Sequence, residues 1–128
     1  AACAVASANI RILRDEGIID QVRTETGPYL QKRWAELADH PIVGEVRGLG
    51  FLGAFEIVAD KETRAQFEPS GSTGALCRDI AANLGLVMRA VGDRMIISPP
   101  LIMSKDQIDE LVDLAGKALD KTLEQVRA

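Results

Sequence analysis

The sequence contains a single histidine, two cysteines and no excess of basic residues, and each of these shortages excludes a class of function. The net charge is −4 at pH 7 with the two signs interspersed, which argues against binding to nucleic acid or to an anionic membrane surface. No apolar run approaches the roughly 20 residues that a helix needs to span a bilayer. Cys3 and Cys77 stand apart in helical patterns, and together with His40 they are too few to hold a metal. We therefore expect no nucleic-acid, membrane or metal partner, and two buried thiols in a reducing cytoplasm.

The usual catalytic motifs are absent as well. The lone histidine is not part of a recognisable Ser-His-Asp set, and no Walker-type phosphate loop occurs. The lysines lie on polar helix faces or in turns, so none is expected to be the neutral amine that attacks a carbonyl carbon. These lysines are Lys32, Lys61, Lys105, Lys117 and Lys121. Composition and spacing alone therefore identify no catalytic residue in this chain.

One glycine motif imitates a nucleotide site. Gly48-x-Gly50-x-x-Gly53 matches the G-x-G-x-x-G pattern of dinucleotide-binding proteins. That pattern requires a helix to start within it and an acidic residue about 20 positions later. Residues 51–58 alternate like a strand instead. We therefore reject a nicotinamide site and interpret the glycines as a tight bend that allows close backbone approach.

The chain has the size and composition of one globular domain, with 128 residues of which 47% are hydrophobic and 27% charged. Helical spacing predicts a first helix that ends near Glu16. A long amphipathic helix is predicted over residues 18–38, bent near Gly27-Pro28 because proline lacks a backbone donor. Tyr29 and Trp34 of this helix are interpreted as core or subunit-contact residues. Since His40 follows the helix directly, we interpret it as a capping or surface residue.

The period of the apolar residues then becomes that of strands. Residues 42–58 predict two antiparallel strands around the glycine bend. Residues 85–101 predict a second hairpin around Gly92-Asp93. Two pairs of strands separated by a helix are typical of a small, mainly antiparallel sheet.

Two further helices are predicted from their starts. Ser72 or Thr73 is expected to cap a helix that ends before Gly85. Ser104-x-x-Gln107 is a capping-box pattern, and the apolar positions after it predict a C-terminal helix. The order is helix, helix, strand pair, helix, strand pair, helix, which indicates an α+β domain whose helices cover the sheet.

Arg89 stands out because it lies within an apolar strand. A buried and unpaired charge is costly, so this guanidinium must reach water, a carboxylate or a ligand. The residues alone leave two interpretations open: a ligand-binding arginine, or an edge-strand arginine whose stem covers apolar surface while its head is solvated. Arg47 and Arg94 are interpreted as structural residues that are ion-paired or solvated.

Five blocks of sequence, in order, resemble the C-terminal segment of the class III aminotransferases, which are fold-type I enzymes that depend on pyridoxal phosphate. The blocks are Ala2–Ala6 with Asn9–Leu13, Val43–Gly50, Asp60–Arg64 with Phe67 and Pro69, Met88–Asp93, and Ile97–Ile102. The last two are most similar to the subgroup that transfers an amino group between amines or ω-amino acids and pyruvate. The resemblance covers essentially the whole chain.

The resemblance implies a domain and a chemistry. Residues 1–128 would be the C-terminal small domain, with residues 1–16 as the tail of a helix that enters it. The lysine that forms a Schiff base with the cofactor, an aspartate on its pyridine nitrogen and a Gly-His-Pro element would all lie upstream of Ala1. We therefore expect no catalytic and no cofactor-binding residue in this chain, and no activity from it alone. The parent enzyme would be a homodimer whose large domain binds pyridoxal phosphate.

The same resemblance gives Arg89 a role. It matches the arginine that, in this subgroup, binds the carboxylate of the substrate and swings away when the substrate is an amine without a carboxylate. A guanidinium suits this task because it binds a carboxylate through two parallel hydrogen bonds on a long stem. The resemblance therefore favours substrate binding over the solvated-arginine interpretation.

An enzyme fragment is one hypothesis, and a stand-alone α+β domain for ligand binding or assembly is the alternative. The chain lacks an initiator methionine and begins inside a helical pattern without a capping residue, which favours the fragment. A split gene, whose second subunit carries the cofactor, is a third possibility. A fragment predicts an uncovered face where the large domain would pack, whereas a stand-alone domain predicts a closed polar surface.

Overall fold

In the computed structural model all 128 residues are described. Helices and strands follow one another in the predicted order. They are α1 (Ala2–Asp15), α2 (Ile18–Gln21), a π-helical turn (Val22–Thr26), α3 (Gly27–Ala35), a 3-10 turn (Glu36–Asp39), β1 (Val43–Leu49), β2 (Leu52–Ile57), α4 (Ser72–Asn83), β3 (Arg89–Val91), β4 (Arg94–Ile97) and α5 (Lys105–Arg127). None of the helices is both long and apolar enough to cross a membrane.

The strands form one four-stranded sheet in the order β1-β2-β4-β3. All three neighbouring pairs are antiparallel, which confirms the α+β prediction. A turn of two residues joins β1 to β2, since Leu49 pairs with Leu52. The second hairpin adds β4 beside β2, so β3 becomes an edge strand of only three residues.

Helices cover one face of the sheet only. The core beneath them contains Trp34, which is fully buried, and its ring lies 5.4 Å from that of Phe55. The indole Nε1 donates a hydrogen bond of 3.3 Å to the carbonyl oxygen of Ala54 in β2. Trp34 is therefore a core residue, one of the two predicted possibilities. Its indole ties α3 directly to the sheet.

Tyr29 instead joins α3 to α5. Its hydroxyl donates to both carboxylate oxygens of Asp109, at 2.8 and 2.9 Å. Arg33 donates to the same carboxylate at 2.7 Å. The hydrogen bond to Asp109 raises the pKa of Tyr29. The hydrogen bonds from Arg33 and, to a smaller extent, from Tyr29 lower the pKa of Asp109.

The bend in the long helical region takes the form of the π-helical turn. Pro28 has no N–H to continue the α-helical ladder, and the N–H of Gly27 bonds five residues back to Val22. A Cβ atom at Gly27 would lie 2.3 Å from the carbonyl oxygen of Val22, so only glycine fits. The predicted bend near Gly27-Pro28 is confirmed, and it begins at Val22.

Two helix starts differ in how they are capped. Ser104 accepts a hydrogen bond from the backbone N–H of Gln107, and the Gln107 side chain accepts one from Ser104, so the predicted capping box is present. The prediction for α4 is wrong, because neither Ser72 nor Thr73 provides a side-chain cap. The N–H groups at this end are bound by a carboxylate from elsewhere in the chain, described with the candidate site.

The two cysteines have different environments. Cys77 is buried in the core, and burial raises the pKa of its thiol. Cys3 is exposed, so the expectation of two buried thiols is wrong for this residue. The physical reason is that α1 has no buried residue at all, and even its apolar residues Val5 and Ile10 are 69% and 64% exposed.

His40 is more enclosed than the sequence suggests. Its side chain is only 12% exposed; Nδ1 accepts from the N–H of Ile42 at 3.4 Å and Nε2 lies 3.3 Å from Asp120. Lys61 donates to the carbonyl oxygens of Ala38 and His40 and so caps the end of the helix. His40 is therefore a capping residue, one of the two predicted possibilities, since it stands at the C-terminal cap of the 3-10 turn and its backbone N–H bonds the carbonyl oxygen of Leu37. The alternative of a surface side chain is wrong, because the imidazole is largely enclosed.

We expect the stability of the fold to fall as pH drops below the usual histidine pKa of 6.5. Burial lowers the pKa of His40, more than the attraction of Asp120 raises it, while Lys61 and Arg127 add repulsion. The unfolded chain therefore binds a proton more readily than the folded chain, and the free energy of unfolding increases with pH through this range.

Urea denaturation between pH 5 and pH 7, followed by circular dichroism, measures this effect. His40→Asn is the matched control, because it retains a polar side chain and removes the titration. A pH slope that is identical in the two proteins would contradict the prediction. The carboxyl groups of Glu45, Asp60 and Asp109 have lowered pKa values and titrate below this pH range. They are present in both proteins, so they do not affect the comparison.

Candidate functional site

The face of the sheet that carries no helix is the candidate site, and we call it the outer face. Strand register places Arg47 opposite Ala54, Ala54 opposite Ile96, and Ile96 opposite Arg89. Directly opposed residues of antiparallel strands point to the same side of a sheet. Alternate residues such as Phe55 are buried in the core, so this row of four lies on the outer face.

Arg89 is the first residue of β3, at the edge of this face, and it is exposed. It forms no salt bridge, whereas the other two strand arginines do: Arg47 pairs with Glu45 at 3.0 Å and Arg94 with Glu56 at 2.9 Å. Met88, immediately before it, is buried and fixes the backbone at this point. The Arg89 guanidinium is therefore exposed and unpaired on a fixed backbone, and it is available to an anion.

An ion-pair network occupies the neighbouring part of the outer face. Glu56 is 9% exposed, accepts a hydrogen bond from Arg64 at 2.6 Å and forms a salt bridge with Arg94. Arg64 also bonds Glu45 at 2.8 Å, which is the main cause that lowers the pKa of Glu45. The arginines of this network are engaged with carboxylates, in agreement with the structural interpretation of Arg47 and Arg94.

The outer face has apolar residues as well. Leu49 and Leu52, which flank the β1–β2 turn, are 82% and 57% exposed. An apolar groove of about 530 Å³ lies beside this turn, between the hairpin and the bent helix. Its wall includes Ile19, Val22 and Leu101. Together with the exposed apolar residues of α1, these surfaces are uncovered apolar area of the kind that the fragment hypothesis predicts.

The glycine motif lies in the β1–β2 hairpin, as predicted, and no helix begins within it. A Cβ atom at Gly48 would lie 2.3 Å from the side-chain oxygen of Gln31, and one at Gly53 would lie 2.9 Å from Trp34 Nε1. Both glycines therefore allow α3 to approach the hairpin closely. This geometry agrees with our interpretation of a bend and is unsuited to a pyrophosphate.

The lysines do not fit the role of a covalent anchor for a carbonyl cofactor. A Schiff-base lysine must be neutral and desolvated, but every lysine of this chain is exposed. Lys61 binds backbone carbonyl oxygens and Lys105 lies 5.4 Å from the centre of the Tyr29 ring. No three metal-binding side chains come together either.

Asp93, in the turn between β3 and β4, is a residue whose importance the sequence did not reveal. It is 4% exposed, and its carboxylate accepts from the N–H of Gly71 at 2.9 Å and from the N–H of Gly74 at 2.7 Å. It therefore supplies the cap that α4 lacks locally. In the sequence, Asp93 is only an acidic residue after Gly92. Such a residue is common in a hairpin turn, so the sequence does not indicate that it caps a helix.

Comparison with protein families supports one assignment for this arrangement. A family model described as "Aminotransferase class-III" matches residues 1–119. The putrescine–pyruvate aminotransferase of Pseudomonas aeruginosa is 59% identical over 127 residues, which is 99% of this chain and 28% of that protein. The chain thus spans little more than a quarter of the length of this curated relative.

Solved structures share the fold over nearly the whole chain. A transaminase solved with L-alanine superimposes with a TM-score of 0.94 at 36% identity, covering 99% of this chain and 29% of that one. An omega-transferase from Vibrio fluvialis JS17 gives a TM-score of 0.92 at 35% identity, covering 98% and 29% respectively. The α+β architecture of this chain is therefore that of a segment within these transaminases.

Proposed function

Because the chain belongs to the class III aminotransferases, we propose that it is the C-terminal small domain of an enzyme that transfers an amino group from an amine or ω-amino acid to a keto acid such as pyruvate. Residues 1–128 would form this domain as one unit, with α1 as the end of a helix that enters it. The high identity to a putrescine–pyruvate aminotransferase supports an amine donor and pyruvate as acceptor. The uncovered outer face and the unpacked α1 support this proposal over a stand-alone ligand-binding or assembly domain.

The observation that carries the proposal is the unpaired guanidinium of Arg89 on the outer face. Keto acids present a carboxylate, and a guanidinium binds a carboxylate with two parallel charge-assisted hydrogen bonds. An amine donor without a carboxylate does not use this contact. Since Arg89 is exposed, unpaired and on an edge strand, no contact within this chain would prevent its side chain from moving away when such a donor is bound. Arg89 would therefore select and orient the acceptor.

Pyridoxal phosphate is the cofactor we propose for the parent enzyme, where it would act as the electron sink for amino transfer. The residues of this chain do not fit its covalent attachment, because every lysine is exposed and solvated. We therefore place the Schiff-base lysine and the other cofactor contacts in the large domain. This chain would contribute substrate recognition and no catalytic residue.

The large domain is also the partner we propose for α1 and for the groove beside the β1–β2 turn. Val5 and Ile10 of α1 and Leu49 of the hairpin are exposed apolar residues, and burying such surface stabilises an interface at about 25 cal/mol per Å². We further propose a homodimeric parent enzyme in the cytoplasm, where unpaired thiols such as Cys3 and Cys77 persist.

The proposal predicts that the parent-length polypeptide binds pyridoxal phosphate and this chain alone does not. Both samples are incubated with the cofactor, dialysed, and examined by the absorbance of the bound cofactor. The parent-length sample is then assayed for pyruvate-dependent consumption of an amine donor. Stable cofactor binding by the 128-residue chain would contradict the assignment of the attachment site to the large domain, and a parent-length enzyme without transamination would contradict the function.

A further inference from the structure

The β3–β4 hairpin is held against α4 by a contact that we call the clasp, formed by Asp93 with the backbone of Gly71 and Gly74. Asp93 Oδ2 accepts from the N–H of Gly71 and Oδ1 from the N–H of Gly74, so each carboxylate oxygen has its own donor. The negative charge lies at the positive end of a 12-residue helix. The negative carboxylate and the positive end of the helix therefore attract each other.

Close approach of the two backbones completes the clasp. A Cβ atom at Gly74 would lie 2.1 Å from the carbonyl oxygen of Gly92 and 2.9 Å from the Cα of Asp93. No other residue type fits there without displacing the turn. The backbone carbonyl of Asp93 also accepts from the N–H of Ile57 at 2.8 Å, which joins the same turn to the end of β2.

The clasp matters for Arg89 because β3 is short, pairs with a single strand and rests against the same helix α4 that the clasp holds. Strand β3 has three residues, lies at the edge of the sheet and pairs only with β4. Its position is fixed by Met88 before it and by the β3–β4 turn after it. A shift of this turn therefore moves β3, and with it the base of the Arg89 side chain.

We propose that Asp93 and Gly74 are positioning residues for substrate recognition, which hold β3 so that the Arg89 guanidinium meets the carboxylate of the keto acid. This inference depends on the function proposed for Arg89. It assigns no catalytic role to Asp93, which is buried and contacts only backbone N–H groups through its side chain. Misplacement of a positioned group by about 1 Å can cost roughly 100-fold in rate, so a small movement of the turn is enough.

Two substitutions test the clasp from opposite sides in the parent-length enzyme loaded with pyridoxal phosphate. Asp93→Asn keeps the shape but replaces one carboxylate oxygen with an NH₂ group, which faces a backbone N–H and loses that hydrogen bond. Gly74→Ala keeps every charge and places a methyl group against Gly92. Gly116→Ala is the matched control, because its Cβ would meet only a Leu37 methyl carbon at 3.9 Å.

We expect both clasp variants to raise KM for pyruvate, roughly threefold for Asp93→Asn and tenfold or more for Gly74→Ala, as expected for misplaced binding groups. The reaction rate with an amine donor that lacks a carboxylate, measured as a separate half-reaction, should not change. A purely structural defect would reduce the amount of active enzyme and lower both half-reactions equally, with no change in KM. Gly116→Ala should match the unmodified enzyme in both assays.

Arg89→Ala, assayed in parallel, separates this inference from the function on which it depends. If Arg89→Ala raises KM for pyruvate and the clasp variants leave it unchanged, the clasp is not a positioning device. If Arg89→Ala has no effect, the proposed role of Arg89 is wrong. Asp93→Asn is isosteric, so it decides the question if Gly74→Ala does not fold.

Discussion

Replacing Arg89 with alanine in the parent-length enzyme is expected to raise KM for pyruvate about 100-fold, because hydrogen bonds to charged groups contribute about 1.5–3 kcal/mol each and 1.4 kcal/mol corresponds to a tenfold change. The alanine cannot bind the carboxylate, and no other cation of the outer face is free to replace it. Arg47 and Arg94 are already paired with Glu45 and Glu56. Steady-state kinetics with varied pyruvate measure the change.

The amine half of the reaction provides the internal comparison. A donor without a carboxylate makes no demand on Arg89, so its rate should stay within about twofold of the unmodified enzyme, since nothing that binds its transition state is removed. Arg89→Lys keeps the charge but not the planar pair of donors, and should give an intermediate KM.

Arg78→Ala is the matched surface control. Arg78 lies on the helix α4 and not on a strand of the outer face, and it pairs with its neighbour Asp79. This variant loses the same charge and the same kind of side chain as Arg89→Ala. Equal effects of the two arginine substitutions on pyruvate, or equal losses for both substrates in Arg89→Ala, would refute the assignment.

Replacing Trp34 with alanine is expected to lower the free energy of unfolding by about 3–5 kcal/mol, the usual cost of removing a large aromatic side chain from a core. The indole is fully buried, lies against the ring of Phe55 and hydrogen-bonds the carbonyl oxygen of Ala54. Its loss would remove one of the links between α3 and the β1–β2 hairpin and leave the hydrogen bonds of Gln31 as another. Because small domains are stable by only about 5–15 kcal/mol, the variant would lose a large fraction of the total stability.

Trp34→Phe is the matched variant for this test. It retains an aromatic ring against Phe55 but removes the hydrogen bond to the carbonyl of Ala54, and a typical hydrogen bond contributes about 0.5–1.5 kcal/mol. Urea denaturation of the 128-residue chain, followed by circular dichroism at neutral pH, should therefore rank the unmodified chain first, Trp34→Phe second and Trp34→Ala last. An alanine variant as stable as the phenylalanine variant would show that α3 does not depend on this contact.

Local sequence patterns predicted most of the elements because their causes are local. The capping box of Ser104 and Gln107 lies within one helical turn, and the missing N–H of Pro28 bends the helix in which it lies. The two hairpins follow from short alternating runs around glycine-containing turns. In each case the residues that decide the structure are neighbours in the chain.

The errors concern groups that meet only after folding. The cap of α4 comes from Asp93, about 20 residues further along the chain, and no local pattern can indicate that donor and acceptor will meet. The helical pattern predicts a buried Cys3, but the only described packing of α1 is against the short α2, and no residue of α1 is buried. For the candidate site, Arg89 was identified from its apolar context together with the family resemblance, whereas its unpaired state required the register of the sheet.

Helices cover only one face of the sheet, and this separates the residues that fix the fold from those of the outer face. Core residues such as Phe55 and Met95 point towards the helices and fix the fold, while their strand neighbours Ala54 and Ile96 share the outer face with Arg89. Because side chains alternate along a strand, mutations on the outer face leave the packing of the core intact. If the outer face binds the acceptor as we propose, acceptor preference can change at these positions with little loss of stability, while the residues that fix the fold stay the same.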